Sequence, residues 1–431
     1  MLKYLKLHRV GPATEMELEL GSRLNLLTGD NGLGKSFLLD IAWWALTRRW
    51  PRELNSELTS GYLARPARAD LDEASITFEL GDGAERYESK FRKREQSWGG
   101  PSGRPANRGL ILYLRVDGGF AVWDPARNYW SHNGDSDLQE RPPAYVFASR
   151  NVWDGLPNPE GGSLCNGLIA DWAIWQKENG APFRRLKAAL KALSIGLESP
   201  LEPGELTRID LDDVRDMPTL RSAYGPDIPV AHASSGIRRI LALAYLLVWS
   251  RQEHERAADL LGEEPSDEVV FLVDEIEAHL HPRWQRSILG SLLSVVDALA
   301  GDAVRTQLLV ITHSPLVLAS AEACFDDESD AWFDLDLEVS AGRQVVALRR
   351  RAWQRRGDVG SWLTSDAFDL SSSRSLEAEE VLEQAAQALS RPEPSKDEVM
   401  RLDGELRRIL SDVDPFWIRW RYVGEKQGWL R

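Results

Sequence analysis

The stretch LLTGDNGLGKSFLLDIAWWALT, residues 26–47, decides the fold. It holds Gly29, four intervening residues, then Gly34, Lys35 and Ser36, the spacing of a phosphate-binding loop. Glycines let the backbone turn so that successive N–H groups point inward around phosphate oxygens. Lys35 can reach the β- and γ-phosphates of a nucleotide, and the Ser36 hydroxyl can ligate Mg²⁺. RLNLL (23–27) reads as a short buried strand. SFLLDIAWWAL (36–46) reads as a helix that aims its positive end at the same anion. Strand, loop and helix in that order make Gly29, Asp30, Asn31, Gly32, Leu33, Gly34, Lys35, Ser36 and Phe37 the candidate nucleotide-binding segment. The competing reading is a glycine-rich turn before a core helix, and the complete GxxxxGKS pattern at a strand-to-helix junction weighs against it.

Working outward, DEVVFLVDEIEAHLHP (267–282) carries an uninterrupted apolar run, as expected of a strand buried on both faces of a parallel sheet. Asp274 follows at its C-terminal end, where ligands bind in open α/β sheets, and a carboxylate there can hold Mg²⁺. Glu275 is next, placed to orient and deprotonate a water for in-line attack. QLLVITHSPLVLAS (307–320) reads as a neighbouring strand that ends in Thr312, His313 and Ser314. A neutral His313 can contact the γ-phosphate and polarise the attacking water; the bland reading is a polar strand cap.

AHASSGIRRILALAYLLVWS (231–250) puts Ser234, Ser235 and Gly236 before a strongly apolar helix. A serine there is ordinarily an N-cap, and capping and phosphate binding use the same free N–H groups. The P-loop already supplies one anion-binding helix terminus. A second one makes sense if it caps the γ-phosphate of ATP held by another copy of the chain, that is, in a homodimer with ATP at the interface.

Composition sets the outer bounds. The 431 residues suffice for two or three substructures, and 43% of them are hydrophobic, enough for a full core. No apolar run approaches the ~20 residues needed to cross a bilayer, and the opening MLKYLKLHRVGP lacks the apolar core of a signal peptide. Only two cysteines occur, Cys165 and Cys324, without ligand spacing, which fits a reducing cytoplasm and argues against a cysteine-based zinc site. A net charge of −15 weighs against a protein that coats DNA, but not against a local basic patch.

The ordered set of motifs resembles the heads of ABC-type ATPases, in the soluble branch with SMC-like, RecF-like and OLD-family members. In that resemblance Gly29 to Ser36 match Walker A. Ser234 to Gly236, followed by Arg238 and Arg239, match an SSG-x-x-R signature. Leu272 to Glu275 match Walker B with its catalytic glutamate, Glu277 to Pro282 (EAHLHP) a D-loop variant, and His313 the switch histidine. The match is specific over 1–50 and 230–320. It implies an α/β P-loop fold with a mainly parallel sheet, antiparallel β and helical lobes and a helical tail, and ATP and Mg²⁺ as cofactors. The implied catalytic residues are Glu275, His313 and Lys35, with Ser36 and Asp274 on the metal. The signature has one glycine where the family pattern has two, Gln176 is the only Q-loop candidate, and there is no coiled-coil arm.

Five segments follow: N-terminal strands and Walker A (1–60), a β-rich insertion (61–150), a helical lobe (151–230), the signature/Walker B/histidine lobe (231–348) and a C-terminal helical tail (349–431). SITFELGDGAERYESKF (75–91) suggests a hairpin, SWGGPSGRPANRG (97–109) a loop, LILYLRVDGGFAVWD (110–124) two strands, and 165–194 helices broken at NGAP. WFDLDLEVSAGRQVVAL (332–348) reads as a terminal hairpin. Its Asp334 and Asp336 mimic a metal-binding pair, a reading outranked by the hairpin. Five arginines between Arg349 and Arg356 are either phosphate contacts or a solvated basic stretch. From Ser371, SLEAEEVLEQAAQAL and SKDEVMRLDGELRRIL read as two amphipathic helices. This tail resembles those of compact AAA-family ATPases of bacterial anti-phage systems and is the expected surface for an effector partner. Two readings result. One is a cytoplasmic ATPase whose dimer senses or processes nucleic acid in DNA repair or phage defence. The other is an ATP-dependent switch that gates a nuclease or toxin without touching DNA.

Overall fold

The computed structural model describes residues 1–67, 73–81, 85–99, 109–128, 144–158, 161–194, 200–223, 225–300, 304–340, 342–391 and 395–429. They form two compact units, Met1–Arg355 and Arg356–Arg431.

The first unit is built on an eight-stranded mixed sheet. Its order is Arg343–Arg351, Ala331–Ser340, Leu24–Gly29, Arg305–Ile311, Glu268–Val273, Leu110–Leu114, Phe120–Trp123 and Tyr145–Phe147. Neighbours from Ala331–Ser340 to Leu110–Leu114 pair in parallel, and the strands at both margins pair antiparallel. Register brings Val273 opposite both Val310 and Leu114, and Ile311 opposite Leu27. The P-loop, acidic and histidine strands therefore end side by side. Glu268–Val273 is buried at every position, which explains why its sequence is an apolar run with no alternation.

A second, antiparallel sheet runs Glu15–Glu19, Leu2–His8, Ser75–Leu80, Arg86–Arg92, Ser97–Trp98. Its inner face (Leu5, Leu7, Ile76, Phe78) and the nucleotide sheet share one core with the helix Lys35–Thr47. That helix is covered nearly all round, which explains the run Ala42, Trp43, Trp44, Ala45. It stops at Arg48, whose backbone is left-handed (φ 63°).

The hairpin expected at 75–91 forms, as do the two strands about DGG and the helices Leu168–Glu178 and Ala181–Leu193 either side of the NGAP break. Segment 61–150 contributes to both sheets. Its Leu110–Leu114 strand lies beside Glu268–Val273 because each residue is apolar and fully buried there. The hairpin of 332–348 forms too, but it joins the nucleotide sheet through Ala331–Ser340, parallel to the P-loop strand. Most of the 97–109 loop lies outside the described residues.

The second unit has its own core of Ala385, Val399, Leu402, Leu406, Trp417 and Trp420. Leu376–Ser390 and Lys396–Ile409 are the two helices read from sequence. Two more helices of this unit, the short Val359–Leu363 and Phe416–Lys426, have no counterpart in the expectations. Both cysteines are free, and no helix among the described residues is long and apolar enough to cross a membrane.

Candidate nucleotide site

The loop between Leu24–Gly29 and Lys35–Thr47 has the geometry its glycines permit. Gly29 has φ 123°, and a Cβ there would lie 2.0 Å from the Leu335 carbonyl oxygen on the adjacent strand. Only glycine lets the hairpin strand pass so close. Asp30, Asn31 and Gly32 are exposed, Leu33 is buried, and Phe37 packs against the turn at Gly11. Lys35 is 4% exposed. Its Nζ donates to the carbonyl oxygens of Gly29 (2.7 Å) and Asp30 (2.6 Å) and pairs with no carboxylate among the described residues. A buried ammonium held only by carbonyls, beside an exposed loop, suits a polyanion.

Burial pulls the Lys35 ammonium down to about 8. The unfolded chain keeps this proton up to about pH 10.5. Between those values unfolding takes up a proton, so stability rises with pH. Without nucleotide, the wild-type chain is expected to gain about 1–3 kcal/mol on Lys35→Met across that window, read from urea midpoints at each pH. A flat difference would contradict the burial.

Next to the loop, the Ser36 hydroxyl donates to Asp274 Oδ1 at 3.0 Å, across 238 residues of chain. Burial, and then the neighbouring Glu275 charge, push the Asp274 carboxyl up to about 7, while the Ser36 hydrogen bond pulls it down. Ser36 and Asp274 are the residues that could hold a divalent cation, and two protein oxygens fit Mg²⁺, which keeps waters and takes phosphate oxygens. Bound there, the ion would neutralise charge between the β- and γ-phosphates. Among the described residues no cluster of three or more His, Cys, Asp or Glu side chains suits a metal. Asp334 is no exception: it accepts from Thr28 Oγ1 (2.7 Å) and pairs with Arg351 (3.3 Å).

Glu275 adopts a left-handed backbone (φ 49°), an uncommon conformation for a side-chain-bearing residue. Its Oε1 lies 3.8 Å from His313 Nε2. Burial and the Lys35 charge hold the His313 imidazole below its ordinary value, which favours the neutral ring at pH 7. Lys35, Ser36, Asp274, Glu275 and His313 thus converge where three adjacent strands end. Sequence reasoning gave no individual role to Glu277. Its carboxylate accepts from Thr312 Oγ1 (2.8 Å) and from the His313 backbone N–H, tying the turn after the acidic strand to the histidine. The available signal was a second carboxylate two residues beyond Glu275.

The signature residues lie apart. Ser234 caps the helix Ser235–Leu261 by accepting from the Ile237 N–H (3.4 Å). Ser234 and Ser235 are exposed, and Gly236 is buried, where a Cβ would meet the His279 carbonyl oxygen at 2.6 Å. Ser235, Arg238, Arg239, Trp153 and His279 line a cavity of about 250 Å³ that includes no P-loop residue. Gln176 bonds to Trp172 and to the Gly204 carbonyl, and not to the loop.

A family model described as "AAA domain, putative AbiEii toxin, Type IV TA system" matches residues 24–319. The chain is similar to Septu protein PtuA of Bacillus mycoides (strain KBAB4), with 26% identity over 178 residues, 41% of this chain and 22% of that protein. It is also similar to the Retron Vc95 probable ATPase of Vibrio cholerae serotype O1 biovar El Tor, with 30% identity over 122 residues, 26% of this chain and 21% of that one. The chain thus matches only about a fifth of the length of these relatives. Among solved structures it is similar to an SMC head bound to the C-winged helix domain of ScpA. There the TM-score is 0.40 and the identity 13%, over 81% of this chain and 97% of that one. The SMC head domain from Thermotoga maritima gives a TM-score of 0.35 and 15% identity, over 80% and 98%.

Proposed function

The chain belongs to the AAA-domain family described as putative AbiEii toxin, type IV TA system, and we propose that it binds and hydrolyses ATP with Mg²⁺ at sites shared by two copies, as a switch in anti-phage defence. The observation that carries the ATPase reading is the convergence of Lys35, Ser36, Asp274, Glu275 and His313 at three strand ends. Lys35 and the loop hold the phosphates. Glu275 takes a proton from water as its oxygen bonds to the γ-phosphorus and the bond to the β-phosphate oxygen breaks, releasing ADP and phosphate. Neutral His313, held by Glu277, orients that water. Ser235, exposed on a helix terminus whose cavity contains no P-loop residue, supports a γ-phosphate contact made to the partner copy. Mg²⁺-dependent phosphate release, lost in Lys35→Ala, tests the reading.

Of the two outputs, gating of an effector has a specific observation in its favour. Within the arginine-rich stretch Arg349 pairs with Glu338 and Arg351 with Asp334, so the phosphate-contact reading loses two of its cations to carboxylates. Nucleic-acid sensing predicts DNA binding that weakens steeply with salt; gating predicts none. The names of the Septu and retron relatives support a place in phage defence.

The unit Arg356–Arg431 is the proposed partner surface. It has its own core and leaves Met400, Val413, Ile418 and Tyr422 exposed. Ending the chain after Arg355 is expected to preserve ATP affinity and abolish a partner or higher-order association seen by sedimentation. Loss of ATP binding in such a folded truncation would contradict this.

A further inference from the structure

Arg239 lies one helical turn beyond Ser235 and is 8% exposed. A buried guanidinium ordinarily faces a carboxylate. This one spends its bonds on backbone carbonyls. One nitrogen, Nη2, donates to Asp274 O (2.9 Å) and Glu275 O (3.0 Å). The other, Nη1, donates to Val116 O (3.2 Å) and Arg115 O (3.4 Å). Its Nε has no hydrogen-bond partner among the described residues. The four carbonyls follow two adjacent parallel strands, Leu110–Leu114 and Glu268–Val273, and one belongs to the left-handed Glu275. That conformation is strained for a side-chain-bearing residue and persists only where surrounding contacts hold it. The Ala278 N–H (2.9 Å) supplies one such contact from the turn itself, and Arg239 supplies the one that comes from the signature helix.

We propose that Arg239 is a positioning residue that fixes the Glu275 backbone of its own subunit and links that base to the signature terminus Ser234–Gly236. The proposal rests on the shared-site reading. In a shared-site dimer the signature of one copy meets the nucleotide held by the other, whereas Arg239 grips the glutamate that serves its own P-loop. Each copy therefore carries a rigid connection, one helical turn long, between the two ATP sites. Lysine at this position keeps the charge but presents a single nitrogen to a set of carbonyls that the two arms of the guanidinium span.

The test uses heterodimers with one working site, formed by pairing a chain with Lys35→Ala. The pairing of wild type with Lys35→Ala is the reference; if no ATP-dependent dimer forms there, the shared-site reading fails, not the role of Arg239. Arg239→Lys is then placed on either chain. On the chain whose P-loop works, it is expected to lower turnover about 10- to 100-fold with KM for ATP within about threefold. On the chain that carries Lys35→Ala, turnover is expected to stay at the reference rate. Both dimers contain one Arg239→Lys chain and one Lys35→Ala substitution, so a folding defect would lower them alike. Equal loss in the two, or loss only when the substitution sits opposite the working P-loop, overturns the proposal.

Discussion

Glu275→Gln is expected to lower ATP turnover by about 10²–10⁴ while ATP still binds. The amide keeps the shape of the side chain but cannot take a proton. Glu275 is suited to the role because it borders His313 and takes no part in the bonds of the loop residues: Lys35 bonds to the Gly29 and Asp30 carbonyls, and Ser36 to Asp274. Binding and bond cleavage thus rest on different side chains, and the substitution should divide them. Phosphate release at saturating ATP, measured beside equilibrium binding of a fluorescent ATP analogue, checks this. Wild-type turnover in Glu275→Gln would assign the base elsewhere.

Mixing two inactive variants is expected to restore activity. Lys35→Ala removes the loop's cation, and Ser235→Arg blocks the exposed helix terminus. Ser235 is the better position for this block than Gly236, where any side chain would collide with the His279 carbonyl and perturb the fold. On the shared-site reading each variant alone loses both sites of its dimer, because every site would need one loop and one signature. A heterodimer recovers one intact site. Random exchange of equal amounts gives about half heterodimers, each with one site of two, so about a quarter of wild-type activity is expected when the sites act independently. Activity that stays absent although the subunits exchange would count against sites assembled from two chains.

Much of the nucleotide sheet was legible because motif chemistry and burial agree. GxxxxGKS needs a strand before it and a helix after it, and a strand buried on both faces must be an apolar run. The position of Ala331–Ser340 was not legible: an alternating hairpin satisfies its own pattern alone, and its parallel pairing with Leu24–Gly29 is a contact across about 300 residues. The helix Phe416–Lys426 was hidden for a different reason. Its buried positions Trp417, Trp420 and Gly424 have helical spacing, but exposed Ile418 and Tyr422 interrupt the pattern. At the site, Lys35, Ser36, Asp274, Glu275 and His313 could be read because each side chain suits phosphate, Mg²⁺ or water. Glu277 and Arg239 fall inside the matched EAHLHP and SSG-x-x-R motifs, but their bonds go to backbone groups, which residue type does not reveal.

The most direct measurement is the sedimentation of Glu275→Gln chain with and without Mg²⁺ and ATP. Without hydrolysis to open the interface, nucleotide should drive the protein from one chain to two, and Ser235→Arg in the same background should hold it at one. Glu275→Gln chain that binds ATP yet sediments as a single chain at concentrations well above the ATP dissociation constant would contradict the shared site.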